Sequence, residues 1–440
     1  MIKNDYRAVA EFEPQESVLL TWPGFKYAYR DEYVSYDVMK VALTIIKELQ
    51  PVVKVIIQAL GYDHEEIKTI LKDNNIPLDN IEIADFSSDY LDIKFDAGST
   101  TFSVFFTYLR DAGAEVVMDS EGNRASVTLD QAGYTIGGAT KIEKSSAIQA
   151  DIFRWHSKLC NINDFVFTRL VSEGGDREFN GNGVMLTTEE TEVNKRNSYL
   201  TRDEVEREYK KIFGVKKILW VPKCSYDDED QCTDLVPRPD GKPYAYRTCA
   251  ANGHMDEMAR FTDSNTIVLG EVTEEEARES ELSRRNKERF DMAYEALKNA
   301  TDAEGKPIRI IRLPVPEHEY LEMDIKAHPE SELAAFWRGY PKMFDNSPVP
   351  QDVGHCHWIA GTSYTNFLIT NKKVLMQKYY REGISSEKAK EKDEKAYRIL
   401  QECFPDREVV AIDAFALNVL GGGIHCLTRN VPLPVKKTSK

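Results

Sequence analysis

Short apolar runs recur along the whole chain, and within each run the apolar residues are mostly consecutive rather than alternating with polar ones. Consecutive apolar residues over this length are typical of strands that are covered on both faces of a sheet. Eight runs predict such strands: 17–23 (SVLLTWP), 52–59 (VVKVIIQA), 165–171 (FVFTRLV), 217–222 (KILWVP), 265–272 (NTIVLGEV), 308–316 (IRIIRLPVP), 373–379 (KVLMQKY) and 407–414 (REVVAIDA).

Between several of these runs, apolar residues recur at intervals of three and four, which predicts helices in the segments 31–50 and 382–404. Thr201 and Thr273 each precede a charged segment with a glutamate three residues later, so both are expected to cap a helix. Strands alternating with helices, without a Gly/Ser- or Pro-rich linker, favour a single α/β domain over residues 1–440. The segments 223–252 and 316–360 have neither pattern and are interpreted as inserted loops.

Composition narrows the classes of partner. The chain of 440 residues has a formal net charge of −16, which argues against nucleic acid and anionic membranes as partners and favours small cations. Its first residues lack the apolar run of a signal peptide, and no apolar stretch is long enough to span a bilayer, so we expect a cytoplasmic protein. Seven scattered cysteines fit reduced thiols better than a disulfide framework.

One of these cysteines, Cys426, follows three consecutive glycines in the segment GGGIHCLTRN (421–430). A lone cysteine is most often a small buried apolar residue. Glycines permit a tight turn and a close approach of the backbone, however, which an ordinary strand does not need. The segment therefore makes Cys426 a candidate nucleophile, provided that the fold supplies a histidine partner. If the segment is an extended strand, His425 should point away from the pocket.

The partner histidine is expected in the segment NGHMDEMARFTD (252–263), where His254 and Asp256 are two residues apart and would share one face of an extended chain. Further carboxylates adjoin glycines at Asp111 and at Glu173 and Asp176. Each taken alone is typical of a polar turn. Together with a nucleophile and a base they indicate a site for a planar cation, because paired carboxylates bind guanidinium in a bidentate manner.

Six segments in this order resemble the successive motifs of the agmatine deiminase and bacterial peptidylarginine deiminase family of guanidine-modifying enzymes. They are EFEPQESVLLTWP, YLRDAGAEVVMD, SEGGDREFNGNGVMLTTEE, NGHMDEMARF, SYTNFLITNKKVLM and GGGIHCLTRN, and they span the chain from about Glu11 to Asn430. The resemblance implies an α/β fold, a five-bladed α/β propeller of ββαβ-type modules with its site on the central axis.

The same resemblance implies roles for individual residues. Cys426 would be the nucleophile, His254 the general acid and base, and Asp111 and Asp256 the carboxylates that hold the guanidinium. Glu173 would support the base electrostatically. The remaining matches line the substrate pocket: Asn366, Tyr108 and Trp22.

These roles imply hydrolysis of a guanidino group to a ureido group through a cysteine thiouronium intermediate, without a metal or organic cofactor. Agmatine, converted to N-carbamoylputrescine, is the expected substrate, and peptidyl-arginine is the alternative. Departures from the family pattern around Tyr108, Asn252 and Arg429 affect recognition of the agmatine amine. The resemblance also makes a homodimer possible.

Two other functions stay open at this point. The segment VGHCHWIAG places His355, Cys356 and His357 near Asp352, a set that would suit a metal, although adjacent residues rarely ligate one ion tetrahedrally. A propeller that binds guanidino compounds without turnover is the second possibility. The presence of the cysteine, the histidine and the acidic residues together argues against it.

Overall fold

The computed structural model describes residues 5–23, 28–30, 35–59, 61–85, 108–130, 152–229, 235–242, 244–247, 251–324 and 355–435. The strands, in chain order, are β1 Arg7–Ala8, β2 Gln15–Thr21, β3 Ala28–Arg30, β4 Ser35–Asp37, β5 Lys54–Gln58, β6 Ile81–Ala84, β7 Glu115–Met118, β8 Arg124–Asp130, β9 Asp164–Val171, β10 Glu178–Phe179, β11 Val184–Thr188, β12 Lys217–Val221, β13 Leu235–Val236, β14 Ala245–Tyr246, β15 Ala259–Asp263, β16 Thr266–Glu271, β17 Arg309–Pro314, β18 Tyr320–Asp324, β19 His355–Ile359, β20 Leu368–Ile369, β21 Lys373–Lys378, β22 Glu408–Asp413 and β23 Thr428–Pro432. The α-helices are Val38–Leu49, His64–Asp73, Leu109–Ala112, 152–159, Arg202–Phe213, Glu281–Leu297, Glu387–Cys403, Phe415–Asn418 and Ile424–Leu427. All eight strands that the apolar runs predict are confirmed.

One strand pattern recurs in five sheets within the described ranges. The first strand runs antiparallel to the second, and the second runs parallel to the third. The five sets are β7–β8–β9, β10–β11–β12, β15–β16–β17, β20–β21–β22 and β23–β2–β5. In each set a helical segment connects the second strand to the third, as a parallel pair requires. The α/β character predicted from the sequence is confirmed.

The middle strand of each set is buried on both faces, and β16 shows how. Ile267 and Leu269 pack in a cluster with Phe290 of the helix Glu281–Leu297. Between them, Val268 points to the other face and packs in a cluster with Phe367, which precedes β20. The consecutive apolar residues of this strand therefore pack against a helix on one face and against a neighbouring sheet on the other.

The two ends of the described chain meet in one sheet. The C-terminal strand β23 pairs with β2, with Val18 opposite Asn430 and Leu20 opposite Thr428. Because Cys426 lies just before β23, this pairing brings the segment 421–430 into the interior of the molecule although it is near the end of the sequence.

The two segments predicted as inserted loops form a sheet of their own. Strands β13 and β14 come from the first segment and β18 and β19 from the second, in the order β13–β14–β19–β18. Tyr246 of β14 pairs with Trp358 of β19, which joins the two segments. The prediction of structureless loops is wrong for this part of the insertions. Residues 230–234, 248–250 and 325–354 lie outside the described residues.

Two predicted helix starts are also corrected. In the segment 31–50 the helix begins at Val38, because residues 35–37 form β4. Thr273 does exchange hydrogen bonds with Glu276, but the helical segment closes after a single 3-10 turn, Glu276–Arg278. This segment buries no residue, so no apolar face extends it. Thr201 caps the helix Arg202–Phe213 as predicted, in a capping box with Glu204.

No helix in the described ranges has the length and apolar character needed to cross a bilayer.

Candidate active site

The predicted site residues come from equivalent places in the fold. Each lies in the turn or short helix that leads into the first strand of one of the five sheets. Asp111 lies in the helix before β7, Glu173 at the turn before β10, His254 and Asp256 at the turn before β15, Asn366 just before β20, and Cys426 in the helix before β23. These equivalent positions bring together residues that are far apart in the sequence, as the contacts below show.

The thiol of Cys426 is surrounded by polar groups that are themselves buried. Asn366 Nδ2 donates to Cys426 Sγ at 3.0 Å, and Sγ lies 3.7 Å from Asp256 Oδ2 and 3.7 Å from Glu257 Oε1. Burial raises the pKa of the Cys426 thiol well above its usual value, and Asp256, Glu257 and Asp111 raise it further. The thiol is therefore protonated until a cation enters among these carboxylates.

His254 is fully buried between two carboxylates. Its Nδ1 lies 3.7 Å from Asp111 Oδ1, and its Nε2 lies 3.5 Å from Glu173 Oε2. Burial opposes the charged form, but Asp111, Glu173 and Asp256 together raise the pKa of His254 to about 10. The imidazole is thus protonated at neutral pH and can act as an acid.

Glu173 is held ionised by its own partners. Arg196 Nε donates to Glu173 Oε2 at 2.7 Å, and both side chains are fully buried. Burial alone would raise the pKa of Glu173, but Arg196 and His254 lower it to about 2. A carboxylate that stays charged at all physiological pH values keeps the neighbouring imidazole charged.

The carboxylates of Asp111 and Asp256 both act on this histidine. Asp111 Oδ1 accepts a hydrogen bond from the backbone N–H of Gly175 at 2.8 Å. A Cβ at position 175 would lie 2.6 Å from His254 Nδ1 and 3.0 Å from Asp256 Oδ1, so only glycine lets the imidazole and the carboxylate approach here. His254 and Asp256 share the site as predicted, although Asp256 lies in the 3-10 turn Met255–Glu257 rather than on an extended segment.

Each of the three glycines before the cysteine is required for a different structural reason. Gly421 has a φ of +83°, a left-handed conformation that other residues rarely adopt. A Cβ on Gly422 would lie 2.6 Å from Tyr108 Cζ, and a Cβ on Gly423 would clash with Asn366 Oδ1 and lie 2.7 Å from Gln377 Nε2. The glycines allow a close approach to Tyr108 and Asn366, which is the role expected of them.

The prediction that His425 points away from the pocket is wrong. Residues Ile424–Leu427 form one turn of helix, so strand alternation does not apply to them. His425 Nδ1 lies 2.7 Å from Asp256 Oδ2, and its Nε2 lies 2.8 Å from Glu11 Oε2. Glu11 is paired in turn with Arg110 and Arg260, both at 3.1 Å. A buried chain of charged groups thus leads from the first motif of the sequence to Asp256.

The residues predicted to line the pocket differ in their surroundings. Asn366 is at the centre: besides the thiol, its Nδ2 contacts Asp256 Oδ2 at 3.2 Å, and its Oδ1 accepts the backbone N–H of His425 at 3.0 Å. The Tyr108 hydroxyl donates to the Leu420 carbonyl at 3.1 Å. Trp22 is buried in the hydrophobic cluster that contains Ile424 and Leu427, the first and last residues of the helix that carries Cys426. Substrate contacts of Tyr108 and Trp22 stay predictions.

Sequence reasoning missed Glu257, His425 and Arg196 as members of this site. Glu257 was detectable only as the neighbour of Asp256, and Arg196 lies in the π-helical turn Glu190–Arg196, away from every motif. Burial and the charges of Asp256, Asp228 and Asp227 raise the pKa of Glu257 well above its usual value.

Metal ligation has two candidate locations. Within the described ranges, ligand atoms of Asp256, Glu257 and Cys426 all lie within 4.8 Å of one another, inside the site itself. In the predicted cluster of His355, Cys356 and His357, only the last side chain is described, and its Nδ1 lies 3.0 Å from Arg238 Nη1. A cation beside this nitrogen does not favour metal binding there.

Comparisons with known proteins agree with this geometry. The model of a family described as Porphyromonas-type peptidyl-arginine deiminase matches residues 7–237 and 243–432. An agmatine deiminase of Pseudomonas syringae pv. tomato is 25% identical over 432 residues, covering 97% of this chain and 95% of the relative. One of Medicago truncatula is 30% identical over 269 residues, covering 60% of this chain and 57% of that protein. The solved agmatine deiminase of Enterococcus faecalis superposes with a TM-score of 0.66 at 22% identity, covering 98% of this chain and 97% of the other, which shows a shared fold.

Proposed function

The chain belongs to the Porphyromonas-type peptidyl-arginine deiminase family, and from this premise we propose that it hydrolyses the guanidino group of agmatine to N-carbamoylputrescine and ammonia. We further propose that residues 1–440 form one domain, in which the five repeated strand sets are the blades of an α/β propeller. The observation that carries the activity is a buried thiol within 3.7 Å of Asp256 and Glu257, where Asp256 is also one of the carboxylates that raise the pKa of His254 to about 10.

In the first half of the reaction, Asp111 and Asp256 hold the guanidinium in plane. The cation offsets the negative charge that raises the thiol pKa, so binding of the substrate itself favours the Cys426 thiolate, and the thiol proton is released to solvent. The thiolate forms a bond to the central guanidinium carbon. The carbon–nitrogen bond then breaks as His254 transfers its proton to the departing ammonia, leaving a covalent thiouronium.

In the second half, neutral His254 accepts a proton from water, and the oxygen attacks the same carbon. As the carbon–sulfur bond breaks, the remaining hydroxyl proton is released to solvent and the ureido carbonyl forms. The ureido product leaves, the thiolate is restored, and His254 keeps the proton that it took from water. The negative charge on the cysteine sulfur is stabilised by a side chain of the site. Asn366, which donates to Sγ at 3.0 Å, stabilises the thiolate whenever it forms.

The departures from the family pattern near the cysteine have contacts that leave the reaction intact. Arg429 Nε and Nη1 donate to the backbone carbonyls of Ala114 and Arg110, and Nη2 lies 2.7 Å from Glu115. Asn430 Oδ1 accepts from Arg110 at 2.7 Å. Both side chains thus bind the segment of the helix Leu109–Ala112 and hold β23 against it. Their departure from the family pattern is explained by these contacts and is no argument against agmatine as the substrate.

Two features favour agmatine over peptidyl-arginine. The net charge of −16 suits a dication, and the thiol of Cys426 is only 6% exposed, so a bulky polypeptide chain would have to displace protein atoms to reach it. Peptidyl-arginine remains the second candidate because it is the substrate in the family's description. A cytoplasmic location and a homodimer stay predictions.

The test measures ureido product from agmatine, free arginine and an arginyl peptide with the wild-type protein, Cys426→Ser and Cys403→Ser. Cys403 is a matched control, a free and partly buried cysteine at the end of the helix Glu387–Cys403. We expect agmatine to have the highest kcat/KM, no turnover by Cys426→Ser and near-normal turnover by Cys403→Ser. A preference for the peptide by about tenfold, or roughly 1.4 kcal/mol, would refute the small substrate, and turnover by Cys426→Ser would refute the nucleophile.

A further inference from the structure

A second polar cavity adjoins the candidate site through Glu257. It lies where the segment before the inserted sheet meets the ends of β16 and β17, and it is lined by Asp227, Asp228, Glu257 and Thr362 together with Ser225, Ser363, Phe290 and neighbouring residues. The volume open to the centre of a water-sized group in this cavity is about 20 Å³. Because one water-sized group needs roughly 10–15 Å³ on this measure, the cavity holds one or two such groups.

The hydrogen bonding of this cavity is incomplete. Both carboxylate oxygens of Asp228 have hydrogen-bond donors, since they accept the backbone N–H groups of Asn252, Gly253 and His254 at 2.9–3.1 Å. Asp227 Oδ1 and Thr362 Oγ1, by contrast, are buried and have no hydrogen-bond partner. A buried acceptor without a donor is costly, and for a carboxylate the cost is greatest. Two unsatisfied acceptors in one small space therefore point to a ligand that donates hydrogen bonds.

The charge of the cavity points in the same direction. Three carboxylates line it, and no Lys or Arg is among its described lining residues. Asp227 pairs with His318, whose Nε2 lies 3.8 Å from Asp227 Oδ2 and also 3.1 Å from the Asn286 side-chain amide. Burial lowers the pKa of His318, which favours its neutral form. His318 contacts Oδ2 of Asp227, so the other oxygen, the buried Oδ1, is left for a ligand.

We propose that this cavity is a subsite for a primary ammonium group, bound by Asp227 and Thr362. The proposal rests on the proposed function, because the guanidino group of the same substrate would lie at Cys426. Glu257 connects the two places: it lines the cavity, and its Oε1 lies 3.7 Å from Cys426 Sγ. A substrate that fills both sites is a guanidine with a free amine at the far end of a short alkyl chain.

The size and arrangement of the donors and acceptors distinguish an ammonium from other cations. An ammonium is about as large as a water molecule and has three donors, whereas a guanidinium is too large for the space. A metal ion would need ligands that converge, and within the described ranges the acidic cluster that converges within 4.8 Å is Asp256 and Glu257 with Cys426, not Asp227 with Asp228. The subsite also opposes free arginine, whose carboxylate would face Asp227.

The experiment compares agmatine with n-butylguanidine, which has the same guanidinium and alkyl chain but no amine. Both substrates are measured with the wild-type protein, with Asp227→Asn, and with Asp240→Asn as a matched control. Asp240 belongs to the same inserted segment, but it is exposed and paired with Arg238 at the surface. We expect Asp227→Asn to raise KM for agmatine about tenfold or more and to leave kcat/KM for butylguanidine within about twofold of wild type. Turnover of butylguanidine shows at the same time that the variant is folded.

The other outcomes separate this inference from the function on which it rests. If the wild-type protein turns over both compounds equally well, or if Asp227→Asn lowers activity towards both to the same degree, the cavity is not an ammonium subsite and holds only water. If the wild-type protein deiminates neither compound but does deiminate an arginyl peptide, the proposed function itself is wrong, and the proposal of an ammonium subsite is refuted together with it. An effect of Asp240→Asn equal to that of Asp227→Asn would mean that general charge, not the cavity, determines the preference.

Discussion

At the scale of single residues, the charge of His254 depends on carboxylates contributed by different sheets. Asp111, Glu173 and Asp256 raise the pKa of this histidine against the effect of burial. The folded-state pKa of about 10 exceeds the usual value, so the protonated form is complete at neutral pH and is lost as the pH rises through about 10. In the proposed reaction this form is the acid, which predicts an activity that declines at alkaline pH.

Glu173→Gln should move that decline to lower pH. The substitution removes one of the charges that keep His254 protonated, and an opposite charge at this distance is worth about one pKa unit or more. The measurement is the pH dependence of kcat/KM with n-butylguanidine, whose guanidinium stays charged over the whole range. Glu115→Gln is the control, because Glu115 is a partly buried glutamate that is likewise paired with arginine, in its case Arg177 and Arg429. An alkaline limb that stays in place in Glu173→Gln, or that moves equally in Glu115→Gln, would contradict the assignment.

The site residues that could be proposed from the sequence are those with unusual local surroundings. Cys426 follows three glycines, and His254 and Asp256 also follow a glycine, so each is marked by its neighbours. Glu257, His425 and Glu11 have no such mark, because their importance comes from side chains that are close only in the folded protein. Glu11 lies 414 positions from His425, and no local pattern reports that contact.

At the scale of elements, the site depends on the backbone turn that leads into each first strand. The turn at Glu173 and the turn at His254 illustrate this, since both residues are extended, with ψ of 149° and 146°, and both precede a 3-10 turn and a first strand. The repetition was hidden in the sequence because the first strands are short. Strands β10 and β20 have only two residues each, too few for an apolar pattern. The long central strands were predictable because they are buried on both faces.

Gly423→Ala tests how closely the cysteine helix must approach Asn366. The added Cβ would clash with Asn366 Oδ1, the atom that accepts the backbone N–H groups of His425 and Cys426. We expect kcat for agmatine to fall by about tenfold or more, since small displacements of reacting groups are costly. Gly305→Ala is the control, because nothing surrounds the Cβ position of Gly305. Its φ of +88° makes any side chain strained there, whereas Gly423 has an ordinary φ of −141°. That variant should lose stability in urea without losing kcat, and equal loss of kcat in both variants would argue against the contact.

At the scale of the whole molecule, five similar strand sets and one inserted sheet account for the described sheets other than the β3–β4 pair. The inserted sheet was not predictable, because its strands β13 and β14 have two residues each and β14 finds its second partner, β19, across a long stretch of sequence. Its interior contacts run through Tyr226 and Leu282, which belong to one cluster with Val236, Ala245 and Ile359. The insertion thus holds the segment that carries Asp227 against the helix Glu281–Leu297.

The charge of the whole molecule predicts how substrate capture depends on salt. With 73 acidic and 57 basic residues, the protein has a net charge of −16, and its field attracts a dication more strongly than a monocation. Raising the ionic strength from about 0.01 to 1 M shortens the screening length from about 30 to 3 Å, so kcat/KM for agmatine should fall steeply. For n-butylguanidine, with one charge fewer, the fall should be clearly shallower. The measurement is initial rates of both substrates at subsaturating concentration across this series, in sodium chloride and again in potassium chloride. Equal slopes for the two substrates would mean that the overall field does not distinguish them, and the preference for agmatine would then have to arise from contacts within the site alone.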